Sequence, residues 1–323
     1  MKLDTLTNHY NSKWYLIYIL LYFSLICSFL LEENSTGGAI KDYINQKNIS
    51  LDFSNNFYLT FFDYEKYNTR HSPILAIFLS FFEKIKLNDH FIRFIHLNIC
   101  LILPIYFYKT LNLVIKKKDI AFFLVSLIFI SPTFRTLAIW PDSRLLGLVF
   151  FTISIYQYLK FQKKGKFLNC IKNIIFLSLS AYISPNFSLF AIFYFFNFVI
   201  YYQKNTKIIF IIILLNIILS FPAFFYLFFL DNNFLNNAAV LNENSKSIFL
   251  LGNIPNNILL ISSIIFFYLI PFIIINIFKL NLNKKFFINI IISLVILYLC
   301  INFFDYKNEY TGGGFFLNYF MFF

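Results

Sequence analysis

Residues 14–31 read WYLIYILLYFSLICSFLL, eighteen apolar or weakly polar side chains without a charge. A helix needs about 20 such residues to cross the hydrocarbon core of a bilayer. Lys13 stands before the run and Glu32-Glu33 directly after it. The run is longer than the core of a signal peptide, and no small-x-small cleavage site follows. It reads as an uncleaved first membrane span.

Working outward, the same pattern recurs. Further apolar runs cover residues 91–110, 120–136, 145–159, 167–183, 187–202, 208–230, 258–278 and 286–304. Together with the first they predict an all-α polytopic protein of about nine transmembrane helices, a single transmembrane domain over residues 1–323. Residues 73–82 are apolar too, but that run is too short to cross. It reads as a helix lying in the outer interface, with Ser80, Glu83 and Lys84 reaching water. It belongs to a long first outer loop, residues 32–90, whose stretch 32–71 reads as polar. The chain stops at Phe323 inside an apolar stretch too short for a span, which reads as a C-terminal truncation.

Composition agrees. The chain is 59% hydrophobic, 22% aromatic and 13% charged, with a mean hydropathy of +0.69. A water-soluble domain carries about 25% charged residues, so this chain lacks the polar surface to cover itself in water. The formal charge of +12 fits lysine-rich loops that set orientation. No folded polar domain is visible that could carry a nucleic-acid-binding face. Cys27, Cys100, Cys170 and Cys300 lie in or near apolar runs, with no CxxC and no Cys/His cluster. They read as small buried apolar groups.

Charge tests the topology. With the N-terminus inside, each inner connection is basic, as at Lys116-Lys117-Lys118 and at Lys160, Lys163, Lys164 and Lys166. Of the 15 acids, only Asp4 and Asp119 fall on that side. This is the asymmetry of the positive-inside rule. It also demands an even number of crossings between Lys13 and Lys116, which agrees with an interfacial 73–82. Polar groups able to do chemistry are then concentrated in the outer segments.

Three outer stretches carry candidate groups. The first begins Glu32-Glu33-Asn34-Ser35-Thr36-Gly37-Gly38 and continues to Lys41-Asp42-Tyr43. A carboxylate at the membrane surface could act as a general base, or these acids are simply solvated. The second is Arg70-His71-Ser72-Pro73, at the depth of a lipid phosphate. A guanidinium binds phosphate through a planar fork of donors, although an interfacial arginine can also be an ordinary anchor. The third is Trp140-Pro141-Asp142-Ser143-Arg144, between the spans at 120–136 and 145–159. Asp142 and Arg144 either pair with each other, or Arg144 stabilises charge on a departing phosphate. Arg135 is a further cation nearby. His90 and His96 flank Arg93 without any partner at metal-ligand spacing, so no metal site is expected. Gly312-Gly313-Gly314 matches no phosphate loop.

The order of these pieces resembles the GT-C superfamily of glycosyltransferases, specifically the protein-O-mannosyltransferase-like branch that includes the aminoarabinose and galacturonic acid transferases of lipopolysaccharide. Residues 14–160 carry the resemblance. It runs through Gly37-Gly38-Ala39 to Asp42-Tyr43, His71-Ser72-Pro73-Ile74-Leu75, Ile92-Arg93-Phe94, Ser131-Pro132 and Pro141-Asp142-Ser143-Arg144. The family's acidic pair in the first loop is not matched as a pair at Asp42. The base is therefore open between Asp42 and Glu32 or Glu33, and the tyrosine after Asp42 and its distance from the first span fit the family's pattern better.

The resemblance implies a multi-pass protein of the bacterial inner membrane, its N-terminus cytoplasmic and its active site on the outer face. The implied activity moves a sugar from a polyprenyl-phosphate donor to a lipid, glycan or protein acceptor of the cell envelope, without a cofactor. Asp42 would be the catalytic base, and Glu33, Lys41, Arg70, His71, Asp142 and Arg144 would bind substrate. The alternatives are a lipid-linked sugar flippase or transporter and a polysaccharide polymerase. A transporter would gather its ionisable groups at mid-span and show repeat symmetry, and a polymerase would place its largest loop late in the chain.

Overall fold

The computed structural model describes residues 3–35, 38–69, 71–115 and 117–230, together with Ile291 and Val295. The runs at 258–278 and 286–304, the glycine run at 312–314, Cys300 and the terminal stretch lie outside the residues described for packing, and Arg70 is likewise outside. Among the described residues all regular structure is helical, with no strand.

Helix α1 is Leu3–Leu30 and contains the first apolar run. Helices α5 (Asp89–Cys100) and α6 (Ile102–Val114) join into one apolar segment, Asp89–Val114, long enough to cross a membrane. Thr206–Phe229, formed by α12 (Thr206–Phe224) and a short π-helical turn, is the second such segment. The described residues therefore hold two helices long and apolar enough to span a bilayer, or three if a bent pair counts as one.

The bent pair corrects a sequence expectation. Residues 120–136 do not form one straight span. Helix α7 (Lys118–Ile130) stops, and α8 (Pro132–Ile139) leaves it at 61°. Proline has no N–H to continue the ladder and is at home in the first turn of a new helix. The Ser131 side chain caps that new helix by accepting from the Phe134 amide.

Helix α9 (Ser143–Lys164) has 22 residues but includes Arg144, Gln157 and Lys160, so it is less apolar than the two spanning segments. It ends at Gly165, whose φ of +62° is a left-handed conformation suited to glycine. Helix α10 (Phe167–Ile183) lies against α9. Ser180 Oγ donates to the Gly147 carbonyl and Asn173 Nδ2 to the Ser154 carbonyl. Gly147 allows this approach, because a Cβ there would lie 2.8 Å from Ser184 Cβ. A 3-10 turn at Pro185–Leu189 leads into α11 (Phe190–Tyr201). Leu16–Leu30, Phe167–Ile183 and Pro185–Tyr201 are apolar but shorter than a full span.

The polar stretch after α1 is more ordered than its composition suggests. Residues 39–55 form α2 (Ala39–Asn55), followed by α3 (Phe57–Phe62) and a 3-10 turn, Tyr64–Tyr67. Along α2, Ala39, Tyr43, Gln46, Ile49, Ser50 and Phe53 are buried, steps of three and four that put them on one face. That face packs on α4 (Ile74–Lys84), the short apolar helix expected at 73–82. Lys84 is exposed and Glu83 half-buried, but Ser80 is buried and donates to the Ile77 carbonyl. It does not reach water, because α2 covers that side of α4. Ile49 and Phe53 of α2 cluster with Tyr64, Ala76 and Tyr226, so the π-helical turn after α12 helps hold α2 and α4.

Candidate functional site

The acids that follow α1 and open α2 meet arginines on three different helices. Glu32 pairs with Arg93 of α5 at 3.2 Å, Glu33 with Arg135 of α8 at 2.9 Å, and Asp42 with Arg144 of α9 at 3.1 Å. Three acids separated by ten residues of sequence are thus each tied to a different helix. Asp42 of the third pair lines a polar cavity.

Arg93 is 2% exposed. Its Nε donates to the Ile139 carbonyl at 3.3 Å, and its guanidinium lies 3.5 Å from the Trp140 ring centroid. One turn along α5, His96 Nδ1 sits 3.1 Å from the Ala138 carbonyl. These two buried groups satisfy carbonyls in the last turn of α8, which otherwise have no helical partner. They thereby fix the chain immediately before Pro141-Asp142.

Arg135 is equally committed. Besides Glu33 it donates to Ser24 Oγ, to Ser28 Oγ and to the Phe129 carbonyl. Burial opposes ionisation of Glu33. Hydrogen bonds from Ser28, Arg135 and Ser35 outweigh that and hold its carboxyl below the usual range. The Trp140 indole N–H donates to the Glu33 carbonyl. Glu33 therefore joins α1 to α8 and is placed with Arg135, not with Asp42.

Asp42 stands in the first turn of α2, where a carboxylate is favoured by the helix dipole. Asp142 is the N-cap of α9 and accepts from the amides of Arg144 at 2.7 Å and Leu145 at 3.4 Å. It is 3% exposed. Burial alone would raise its pKa, but the Arg144 side chain, His71 and the Arg144 amide together hold it below the usual carboxylate range. Arg144 donates from Nε and Nη2 to Asp142, at 3.1 and 2.7 Å, and from Nη2 to Asp42. His71 Nδ1 lies 3.2 Å from Ser143 Oγ, and the His71 carbonyl accepts from Tyr64. Asp42, His71, Asp142 and Arg144 are thus gathered around one turn. Of the two readings of Asp142 and Arg144, the pairing is real, and it leaves part of the guanidinium facing outward.

A cavity of about 420 Å³ opens here, lined by Asp42, Asn45, Asn48, Tyr67, Thr69 and His71 among others. Its walls include amides, hydroxyls, an imidazole and one carboxylate beside the aliphatic Ile49, and the polar groups are donors and acceptors suited to a polyhydroxyl ligand. Tyr67 donates to Asp52, and burial together with that carboxylate pushes its pKa up to about 12, so it stays a phenol. Lys41 is exposed beside Asp42. Asn45 and Asn48 escaped sequence reasoning because α2 was read as a loop. Its period of three to four would have put Asp42, Asn45 and Asn48 on one outward face.

A second cavity of about 410 Å³ is apolar, with Phe61, Ile74, Leu177, Leu219, Tyr226 and Leu227 among its lining. It is bounded by Ser72 and Pro73, whereas the polar cavity is bounded by His71. The linings thus include consecutive residues of the chain, His71 and Ser72. Ser72 is fixed there by donating to the Tyr182 carbonyl of α10.

Among the described residues, no group of three or more His, Cys, Asp or Glu side chains could hold a metal ion. Comparison with family models, with curated proteins and with solved structures finds no match for the chain.

Proposed function

We propose that the chain is a membrane glycosyltransferase of GT-C type that moves a sugar from a polyprenyl-phosphate donor to a lipid, glycan or protein acceptor. It crosses the membrane about nine times, with the N-terminus cytoplasmic and the reaction on the outer face. The observation that carries this reading is the cluster of Asp42, His71, Asp142 and Arg144 beside a polar cavity, with an apolar cavity lined by the next residues of the chain, Ser72 and Pro73. A ligand with a long apolar tail, an anionic link and a hydroxyl-rich head would match an apolar cavity, a guanidinium and a polar cavity respectively.

In this reading the isoprenoid lies in the apolar cavity and the sugar in the polar cavity. The acceptor hydroxyl attacks the anomeric carbon while Asp42 takes its proton. The bond from that carbon to the phosphate oxygen breaks, and the developing charge on the phosphate is met by Arg144. A fixed guanidinium in a partly dry site does this better than water. Asp142 keeps the guanidinium in place, and His71 lines the cavity. Arg93, His96 and Arg135 hold the surrounding turns.

The charged groups also weigh against the transporter alternative. Asp42 and Arg144, with the cavity beside them, stand at helix ends, and the buried Arg93 and half-buried Arg135 are both tied to acids of the 32–33 turn. The test is to incubate membranes containing the protein with radiolabelled polyprenyl-phosphate sugars and follow the label. Label moving into lipid, glycan or protein, above membranes without the chain, supports the reading. Label that only changes leaflet would point to a flippase and overturn it.

A further inference from the structure

The contacts of Arg144 carry a consequence for the order of events, and it rests on the glycosyltransferase reading. A guanidinium has five N–H donors in one plane. Its side edge, Nε with Nη2, is filled by Asp142, which accepts from both nitrogens. The remaining N–H of Nη2 goes to Asp42 Oδ2 at 3.1 Å. Among the described residues, no hydrogen bond is made by Nη1. The end edge, Nη1 with Nη2, therefore holds a single carboxylate oxygen where a phosphate would place two.

Asp42 and a bidentate phosphate cannot both use that N–H of Nη2. The structure indicates which acid gives way. Asp142 is 3% exposed at the side chain and also caps α9, so it is held by its backbone bonds as well as by the ion pair. Asp42 is 32% exposed and Arg144 51%, and their pair faces the solvent side.

We propose that the donor's lipid phosphate displaces Asp42 from the end edge of Arg144, so that donor binding itself releases the base. Without donor, Asp42 is tied to the arginine. With donor, the arginine belongs to the phosphate and the carboxylate is free to take the acceptor's proton. The donor then binds before the acceptor, and an acceptor hydroxyl is not activated in an empty site.

The distinguishing result is that loss of the proposed base strengthens binding. Farnesyl phosphate serves as the probe, with purified full-length protein in lipid nanodiscs at low salt. Asp42→Asn and Asp42→Ala are each expected to bind it about two- to fivefold more tightly than wild type, the range set by a part-exposed ion pair. The gain shrinks at high salt and disappears in an Arg144→Gln background. Equal or weaker binding by both variants, with wild-type binding measurable, overturns the displacement while leaving the glycosyltransferase reading intact. Failure of wild type and variants alike to bind farnesyl phosphate removes the lipid-phosphate reading and the displacement with it. An equal gain with inorganic phosphate would reassign the site to free phosphate and overturn the role given to the lipid.

Discussion

Arg93→Met tests whether a buried cation organises the turn that carries Asp142 and Arg144. Methionine fills much of the same space and removes the donors. The Ile139 carbonyl loses its Nε–H partner inside a buried turn, which costs about 1–3 kcal/mol. The Trp140 ring loses a cation at 3.5 Å, worth about 2 kcal/mol where both partners are desolvated. The Glu32 pair adds only about 0–1 kcal/mol, because Glu32 is more than half exposed. Relief from burying a charge offsets part of the sum, and a net loss of about 2–4 kcal/mol is expected. The protein has two tryptophans, Trp14 and Trp140. In a Trp14→Phe background, unfolding in detergent can therefore be followed through Trp140 alone. Arg93→Lys, which keeps the charge and loses the planar fork, is expected to fall between. An Arg93→Met variant within about 0.5 kcal/mol of the Trp14→Phe reference, the size of an ordinary surface change, would refute the reasoning.

The other expectations follow from specific contacts. Gly147→Leu should lower the stability of the α9–α10 pair by about 1–3 kcal/mol, since even a Cβ would meet Ser184 and Phe187 at 2.8 and 3.1 Å; a thermal shift assay in detergent reads it, and an unchanged midpoint would contradict the packing. Asp142→Ala should be less stable than Asp142→Asn by about 1 kcal/mol, because asparagine still caps α9 and alanine does not; equal denaturation midpoints would deny the cap. Asp142 and Glu33 both have pKa values lowered by folding, so their contribution is complete above the ordinary carboxylate range and is lost as pH falls through their depressed values. The part of the acid loss that belongs to Asp142, read as the difference between wild type and Asp142→Asn, should therefore appear only below about pH 4; a difference that already changes near neutrality would contradict the assignment.

The sequence made the helical character plain, and the apolar runs at 91–110 and 208–230 announced the two helices long and apolar enough to span a membrane. It also brought together Asp42, His71, Asp142 and Arg144, through the ordered motifs, without revealing which pairs would touch. The bend at Ser131 was written in Ser131-Pro132, a cap followed by a proline, yet the apolar run continued through it and hid it. Residues 39–55 were misread because their buried face mixes Tyr43, Gln46, Ser50 and Phe53 with many polar neighbours, so composition spoke for a loop while the period spoke for a helix. The fates of Glu32 and Glu33 could not be seen from the chain. Each depends on an arginine about 60 or 100 residues away, and sequence spacing carries no signal for such pairings.

Steady-state transfer from a labelled polyprenyl-phosphate sugar, comparing wild type with Asp42→Asn in proteoliposomes, goes most directly to the claim that Asp42 and Arg144 form one reaction centre. Loss of a positioned base predicts a fall in kcat of about 10²–10⁴-fold, with donor KM unchanged or lower. An Asp42→Asn protein that transfers sugar at the wild-type rate would show that the proton leaves by another route, and the centre built around the Asp42–Arg144 pair would be wrong.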